Sequence, residues 1–368
     1  MQPDTEPTTH SQHWLDPDDP GSQKLGALAV LARKDVQELA ELVELRKRGW
    51  EDDRLNSHFA SLREVADIQN ARVNWYWYKR MKGLMGELDE AADCIPASCS
   101  LDFLDVGCAP GGFSACVLEK NRHATGVGLT LPASAGGYAF ALQPCHRRRY
   151  RVVYQDILLY RLHGLPGTDS EQADTQTFPE HLHRRFSLII LDAHALRIYP
   201  TCSNSLEEEK SARAAYRDSL LIAQFIIALS SVRPGGTIVA KLSHVECFPA
   251  AHLVYMLDAI SDSLVLHKPR MLHSNRGTFY AIAKAVGSGS RSESMARHLG
   301  GLRDLWRELR FGGARGTGRY LFTTDLDFIV TADAILEEYV DRLVELGRGV
   351  WSTQVDGLRY FFRKKGLA

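Results

Sequence analysis

The segment that most constrains this chain is LDFLDVGCAPGGFSACVLEK, residues 101–120. An apolar run ends at Asp105, glycines follow at 107, 111 and 112, and a helix-like pattern comes next. A strand that opens into a glycine turn before a helix forms the ligand-facing corner of a doubly wound sheet. Glycine lets backbone approach a ligand closely, and the next helix offers free N–H donors. The spacing is neither the GxGxxG of dinucleotide folds nor the GxxxxGK[ST] of phosphate loops, which argues against a nucleotide-dependent dehydrogenase. Pro110 stiffens the turn, and no lysine follows it to meet phosphates.

The surrounding pattern supports that corner. LDFLDVG (101–107), ATGVGLTL (124–131), RVVYQDI (151–157), FSLIILDA (186–193), GGTIVAKLS (235–243) and TFYAIAKAV (278–286) are short and apolar, with helical patterns between several of them. Strands alternating with helices predict an α/β fold with a mostly parallel central sheet and helices on both faces. HGLPGTDSEQADTQTFPEHLH (163–183) interrupts the rhythm as a surface loop. Residues 1–23 read as a disordered leader and 24–69 as a helical N-terminal extension. The α/β domain spans 70–290, and 291–368 form a largely helical appendage after a GSGSRSES linker.

Composition narrows the partners. A net charge of -1 over 368 residues means that any anionic partner must be met by a local patch. Seven cysteines without a CxxC pair argue against a zinc ribbon or redox dithiol, and no metal is expected. No apolar run reaches the roughly 18 residues of a membrane span, so no membrane partner is expected. The N-terminus has no hydrophobic signal core, and a cytoplasmic or nuclear protein with reduced thiols follows. Oligomeric state is left open.

LDVGCAPGGFS resembles the first motif of the FtsJ-like ribose 2′-O-methyltransferases, D-L-G-x-[AP]-P-G-G-[FW]-[ST]. The resemblance implies a Rossmann-like methyltransferase that uses S-adenosyl-L-methionine and takes RNA as substrate, with no DNA expected. It implies that Asp105, Gly107, Cys108, Ala109, Pro110, Gly111, Gly112 and Phe113 form the cofactor loop. Thr130 stands where an acidic residue normally meets the cofactor ribose. Asp156 matches the aspartate that accepts a hydrogen bond from the adenine amino group.

Methyl transfer to a hydroxyl needs aligned reactants and a base for a weakly acidic proton. Asp192 and Lys241 follow apolar strands at the ligand edge and match the aspartate and second lysine of the family's K-D-K-E tetrad. Asp192 also counts among the cofactor-binding positions. Lys79, preceded by Tyr78, matches the first lysine, with Lys82 as the alternative on the same helix face. The glutamate position reads Thr278. Three explanations stand: Lys79, Asp192 and Lys241 suffice, with Lys241 as base; Glu246 replaces the glutamate; or catalysis has been lost.

Three stretches bear on the substrate. Arg147, Arg148, Arg149 and Arg151 around Tyr150 suit RNA phosphates and a stacked base, or a solvated basic turn. NWYWYKR (74–80) offers a base-stacking aromatic among core residues, and RYFFRKK (359–365) suits RNA or a solvated end. The alternatives to RNA methylation are a catalytically silent domain that binds RNA or protein, and a methyltransferase for a non-RNA acceptor.

Overall fold

A computed structural model of the chain describes residues 30, 34–52, 71–162, 176–195, 206–313 and 316–366. The leader, residues 24–29, 31–33 and 53–69 of the N-terminal extension and residues 163–175 of the insertion lie outside the described residues.

Seven strands form one sheet: β1 Leu101–Val106, β2 Ala124–Thr130, β3 Tyr150–Tyr154, β4 Phe186–Leu191, β5 Val232–Ser243, β6 Ser263–His267 and β7 Thr278–Val286. Their order is β3-β2-β1-β4-β5-β7-β6. Strands β1 to β5 run parallel, and β7 is antiparallel to both its neighbours. The α/β expectation holds, in a Rossmann-like order that reverses between β1 and β4. Six strands coincide with the apolar runs in the sequence. Strand β6 was missed: it lies at the sheet edge, and only Leu264 of its five residues is fully buried, so it shows no continuous apolar run.

Among the described residues, the longer helices cover the sheet: α1 Gln37–Trp50, α2 Ala71–Ala92, α3 Gly112–Lys120, α4 Leu206–Ser231, α5 Phe248–Ile260, α6 Met295–Phe311 and α7 Val340–Lys364. Alternate strand residues point to opposite faces, and the core divides accordingly. Phe103, Leu188, Ile190, Val239, Tyr280 and Ile282 pack with α2 and α3. Leu104, Ile189, Leu191, Ile238, Phe279 and Ala281 pack with α1, α4, α5, α6 and α7. No helix among the described residues is long and apolar enough to cross a membrane.

The extensions share this core. Leu39 and Leu42 of α1 and Trp351 of α7 are buried in the same cluster as strand residues. The GSGSRSES stretch is tied to the end of α5, where Gly287 N donates to Ile260 O at 2.8 Å and Arg291 N to Ala259 O at 2.8 Å. Within the described part of the insertion, Phe178 and Leu182 are buried rather than solvated.

Candidate active site

The glycine corner lies at the carboxyl end of β1, beside β4, where the strand order reverses. Gly107 has φ +86°, and a Cβ there would lie 2.5 Å from the N and Cα of Ala193. The ends of β1 and β4 therefore meet backbone to backbone. Gly111, at φ +110°, precedes α3 and faces the Phe140 ring. Gly112 has a different reason to be glycine: a Cβ would lie 2.4 Å from Tyr78 O and 2.6 Å from Lys82 N, so α3 lies directly on α2.

A cleft of about 560 Å³, including its open mouth, runs along these strand ends. Gly107, Ala109, Thr130 and Asp156 line it, with Ile157, Ala193, Tyr216 and Leu220 supplying apolar walls. The Asp156 carboxylate accepts from Leu158 N at 2.9 Å, which caps a short helical turn and holds the side chain at the rim. Cys108 and Phe113 turn elsewhere. Cys108 is buried beside Gly128 and Tyr150, and burial pushes its thiol pKa well up. Phe113 packs edge-on against Tyr280, with ring centroids 6.2 Å apart. Pro110 is buried, and its carbonyl accepts from Ala141 N at 2.8 Å.

Asp105 is fully buried on the α2/α3 face. Ser114 Oγ donates to its Oδ2 at 2.5 Å, and the same hydroxyl lies 2.7 Å from Tyr150 OH. The Asp105 Oδ1 has no hydrogen-bond partner among the described residues. Burial pushes the carboxyl up to about 7, with the Ser114 bond opposing and Asp192 adding to the rise.

Register brings the proposed chemistry together. Leu191 pairs with Ala240 across β4 and β5, so the next residues, Asp192 and Lys241, fall side by side. Lys241 Nζ lies 3.0 Å from Asp192 Oδ1 and donates to Asp192 O at 2.9 Å. Tyr280, paired with Lys241 across β7, donates its OH to the same Oδ1 at 2.7 Å. This role for Tyr280 is not legible in the sequence, because it requires the sheet register.

The FtsJ-like methyltransferase model matches residues 85–285, more than half of the chain. The chain belongs to the FtsJ-like methyltransferase family. It is 26% identical over 264 residues to a Bos taurus cap-specific mRNA (nucleoside-2′-O-)-methyltransferase 1, a match covering 70% of this chain and 29% of the relative. The Homo sapiens protein of the same name is 29% identical over 193 residues, covering 51% of this chain and 22% of the relative. The matches thus span less than a third of these relatives' length. Similar solved structures include human methyltransferase-like protein 13 in complex with SAH (13% identity, TM-score 0.34, 63% of this chain and 92% of that one). Another is Burkholderia thailandensis 1,6-didemethyltoxoflavin-N1-methyltransferase (14% identity, TM-score 0.34, 63% of this chain and 90% of that one).

Within this FtsJ-like chain the two candidate first lysines differ. Lys82 pairs with Glu119 at 2.5 Å. Lys79 is exposed, with Nζ 5.9 Å from the Trp75 ring centroid, and no ion pair joins it to Asp192. Both lie on α2, which covers the face carrying Lys241 and Tyr280. Glu246, considered as a substitute carboxylate, is committed elsewhere: Arg46 Nη1 lies 2.5 Å from Oε1, and Trp351 Nε1 donates to Oε2 at 3.0 Å. His244 and Cys247 lie close to that carboxylate, but the Arg46 guanidinium supplies its positive charge, so the donors do not suit a cation.

The substrate-facing expectations also divide. Arg149 donates to Leu118 O at 2.7 Å, Asn121 O at 3.0 Å and Ala124 O at 3.1 Å, closing the end of α3. Tyr150 is buried in the Asp105 network, so neither is available to RNA; Arg147, Arg148 and Arg151 remain exposed. Tyr78 is core, whereas Trp75 and Tyr76 are 43% and 52% exposed. Trp75 stacks on Tyr78 with centroids 4.7 Å apart. RYFFRKK forms the last turns of α7 and begins the turn after it; Phe362 is buried there beneath the Arg48 guanidinium.

Proposed function

We propose that this chain is an S-adenosylmethionine-dependent methyltransferase that modifies a ribose 2′-hydroxyl of RNA, with Lys79, Asp192 and Lys241 as its working set. The observation that carries this reading is the Lys241–Asp192 pair at 3.0 Å, set at the same sheet end as the glycine corner. The relatives' names specify cap-specific mRNA nucleoside 2′-O-methylation, so capped RNA is the first substrate to test. Such a substrate suits a cytoplasmic or nuclear protein.

The cleft suits the cofactor. Its glycine floor admits backbone contact at Gly107, Thr130 and Asp156 offer polar atoms, and Leu129, Ile157 and Leu220 supply an apolar lining. S-adenosylmethionine supplies an electrophilic methyl group on a sulfonium. Asp192 fixes Lys241 through its carboxylate and carbonyl, and Tyr280 holds that carboxylate from the other side. Lys241 Nζ, once deprotonated, takes the hydroxyl proton. Lys79 approaches the acceptor from the covering helix. Thr278 adds no charge, so this set works with a single carboxylate.

Isothermal titration with S-adenosylmethionine, followed by labelled methyl transfer to capped RNA, tests the proposal. Lys241→Ala is expected to lower transfer by about 10²–10⁴-fold, the usual worth of a general base, while cofactor affinity stays nearly unchanged. Parallel loss of both would remove the role given to Lys241. Label that survives ribonuclease treatment of the product would move the acceptor away from RNA.

A further inference from the structure

Three of the large apolar side chains exposed among the described residues, Trp75, Tyr76 and Met271, lie on or against α2. Arg72, Trp75, Tyr76 and Lys79 stand at i, i+3, i+4 and i+7, so they share one face of that helix, and all four are exposed. Met271 prolongs the face, because its Sδ would lie 2.5 Å from a Cβ at Gly83, one turn beyond Lys79. A single exposed apolar side chain needs no explanation, but a contiguous set marks a contact surface.

The charge around these rings has one sign. No Asp or Glu occurs from Ala71 to Gly86, nor from Lys120 to Gln155. The first carboxylates beyond these segments are engaged. Lys82 lies 2.5 Å from Glu119, and Glu87 accepts from Arg270 N at 2.7 Å and Met271 N at 3.2 Å. Arg72 and Lys79 form no ion pair among the described residues.

The two acid-free segments meet at the cleft. Asn74 Nδ2 donates to Ala139 O at 2.8 Å. Tyr138, the preceding residue, lines the cleft, and Phe140, the next, faces Gly111. The aromatic face therefore adjoins the cleft rim. Trp75 is also held in place, stacked on buried Tyr78 with centroids 4.7 Å apart and planes 9° from parallel. Little side-chain freedom is lost when a flat partner arrives on its exposed part.

We infer that this face is a stacking platform for single-stranded RNA. Bases next to the target nucleotide lie on Trp75 and Tyr76, and Arg72 meets the phosphates between them. Rings suit bases, whereas an acidic polypeptide would use the cations and leave the rings unmatched. A duplex keeps its bases stacked on one another, so the platform selects unpaired RNA. The inference rests on the ribose methyltransferase reading, in which the target ribose lies between Lys79 and Lys241.

Fluorescence anisotropy of a labelled, capped oligoribonucleotide of about ten nucleotides, within the range of one single-strand site, tests the platform in the whole chain. Trp75→Ala and Tyr76→Ala are each expected to weaken RNA binding by at least about fivefold, the lower end of one base–aromatic stack. Both are expected to raise the KM for RNA with kcat, melting temperature and S-adenosylmethionine affinity nearly unchanged. Trp75→Phe keeps an aromatic face and is expected to recover most of the loss. Arg72→Ala is expected to lower the slope of log Kd against log salt by about 0.7, the share of one phosphate on a single strand. The same RNA annealed to its complement is expected to bind wild-type and Trp75→Ala protein alike. Unchanged RNA affinity in both alanine variants, or polyglutamate bound as tightly as the RNA, would overturn the inference while the methyltransferase reading stands. Wild-type protein that binds the RNA but transfers no methyl to it would remove that reading, and the affinities of the variants would still decide the platform.

Discussion

Asp105 concentrates the electrostatic tension of the glycine corner in one carboxyl group. It is sealed from water, bonded through one oxygen and pushed up to about 7, chiefly by burial. In the unfolded chain it titrates near 4, roughly the ordinary aspartate value. The folded state then binds more protons between those two values, so this group lowers stability as pH rises from about 4 to about 7. Its effect is constant above that window. Asp105→Asn is expected to flatten this part of the pH dependence of the cofactor-free protein's melting temperature. An unchanged slope would assign the dependence to other groups.

The contact between α2 and α3 decides where the proposed first lysine sits. Gly112 touches the backbone of Tyr78 and Lys82, so Gly112→Ala forces the helices apart instead of reorienting a side chain. Overpacking of this kind costs about 1–3 kcal/mol, and the displacement carries Lys79 with it. Urea unfolding and methyl transfer are both expected to suffer. Gly86, also on α2, has nothing within 4 Å of a new Cβ. Gly86→Ala is therefore expected to stabilise by about 0.4–1 kcal/mol through the unfolded chain, with transfer unaffected. Equal effects at both sites would deny that helix contact, rather than helix propensity, governs Gly112.

At the scale of the molecule, a buried joint ties both extensions to the strand that carries Lys241. Arg46 of α1 meets Glu246 just after β5, and also donates to Gln354 of α7 at 3.0 Å; Trp351 of α7 completes the set. Burial raises the Glu246 pKa, but Arg46 and His244 prevail and hold it well below the carboxylate range. Its stabilisation is therefore present above about pH 4.5, the ordinary glutamate region, and is lost as pH falls through the folded pKa. Glu246→Ala leaves Arg46 without its carboxylate and is expected to cost about 3–5 kcal/mol, read by denaturant unfolding. Adding Arg46→Ala is expected to cost far less than a second independent loss. Additive costs would show that the two residues do not act as a pair.

The glycine corner, five parallel strands and the strand-end positions of Asp192 and Lys241 were legible without coordinates. Each follows from short-range facts: apolar runs mark buried strands, and glycines mark turns or close approaches. The partners of the polar groups were not legible. Glu87 holds Arg270 across 183 positions, and Tyr280 reaches Asp192 across 88. Nothing local distinguishes Arg149, which closes a helix, from exposed Arg148. Local pattern determined which residues reach the ligand edge of the sheet. Packing decided which of them meet, because hydrogen bonds and ion pairs depend on atomic separations set by strand register and helix contact.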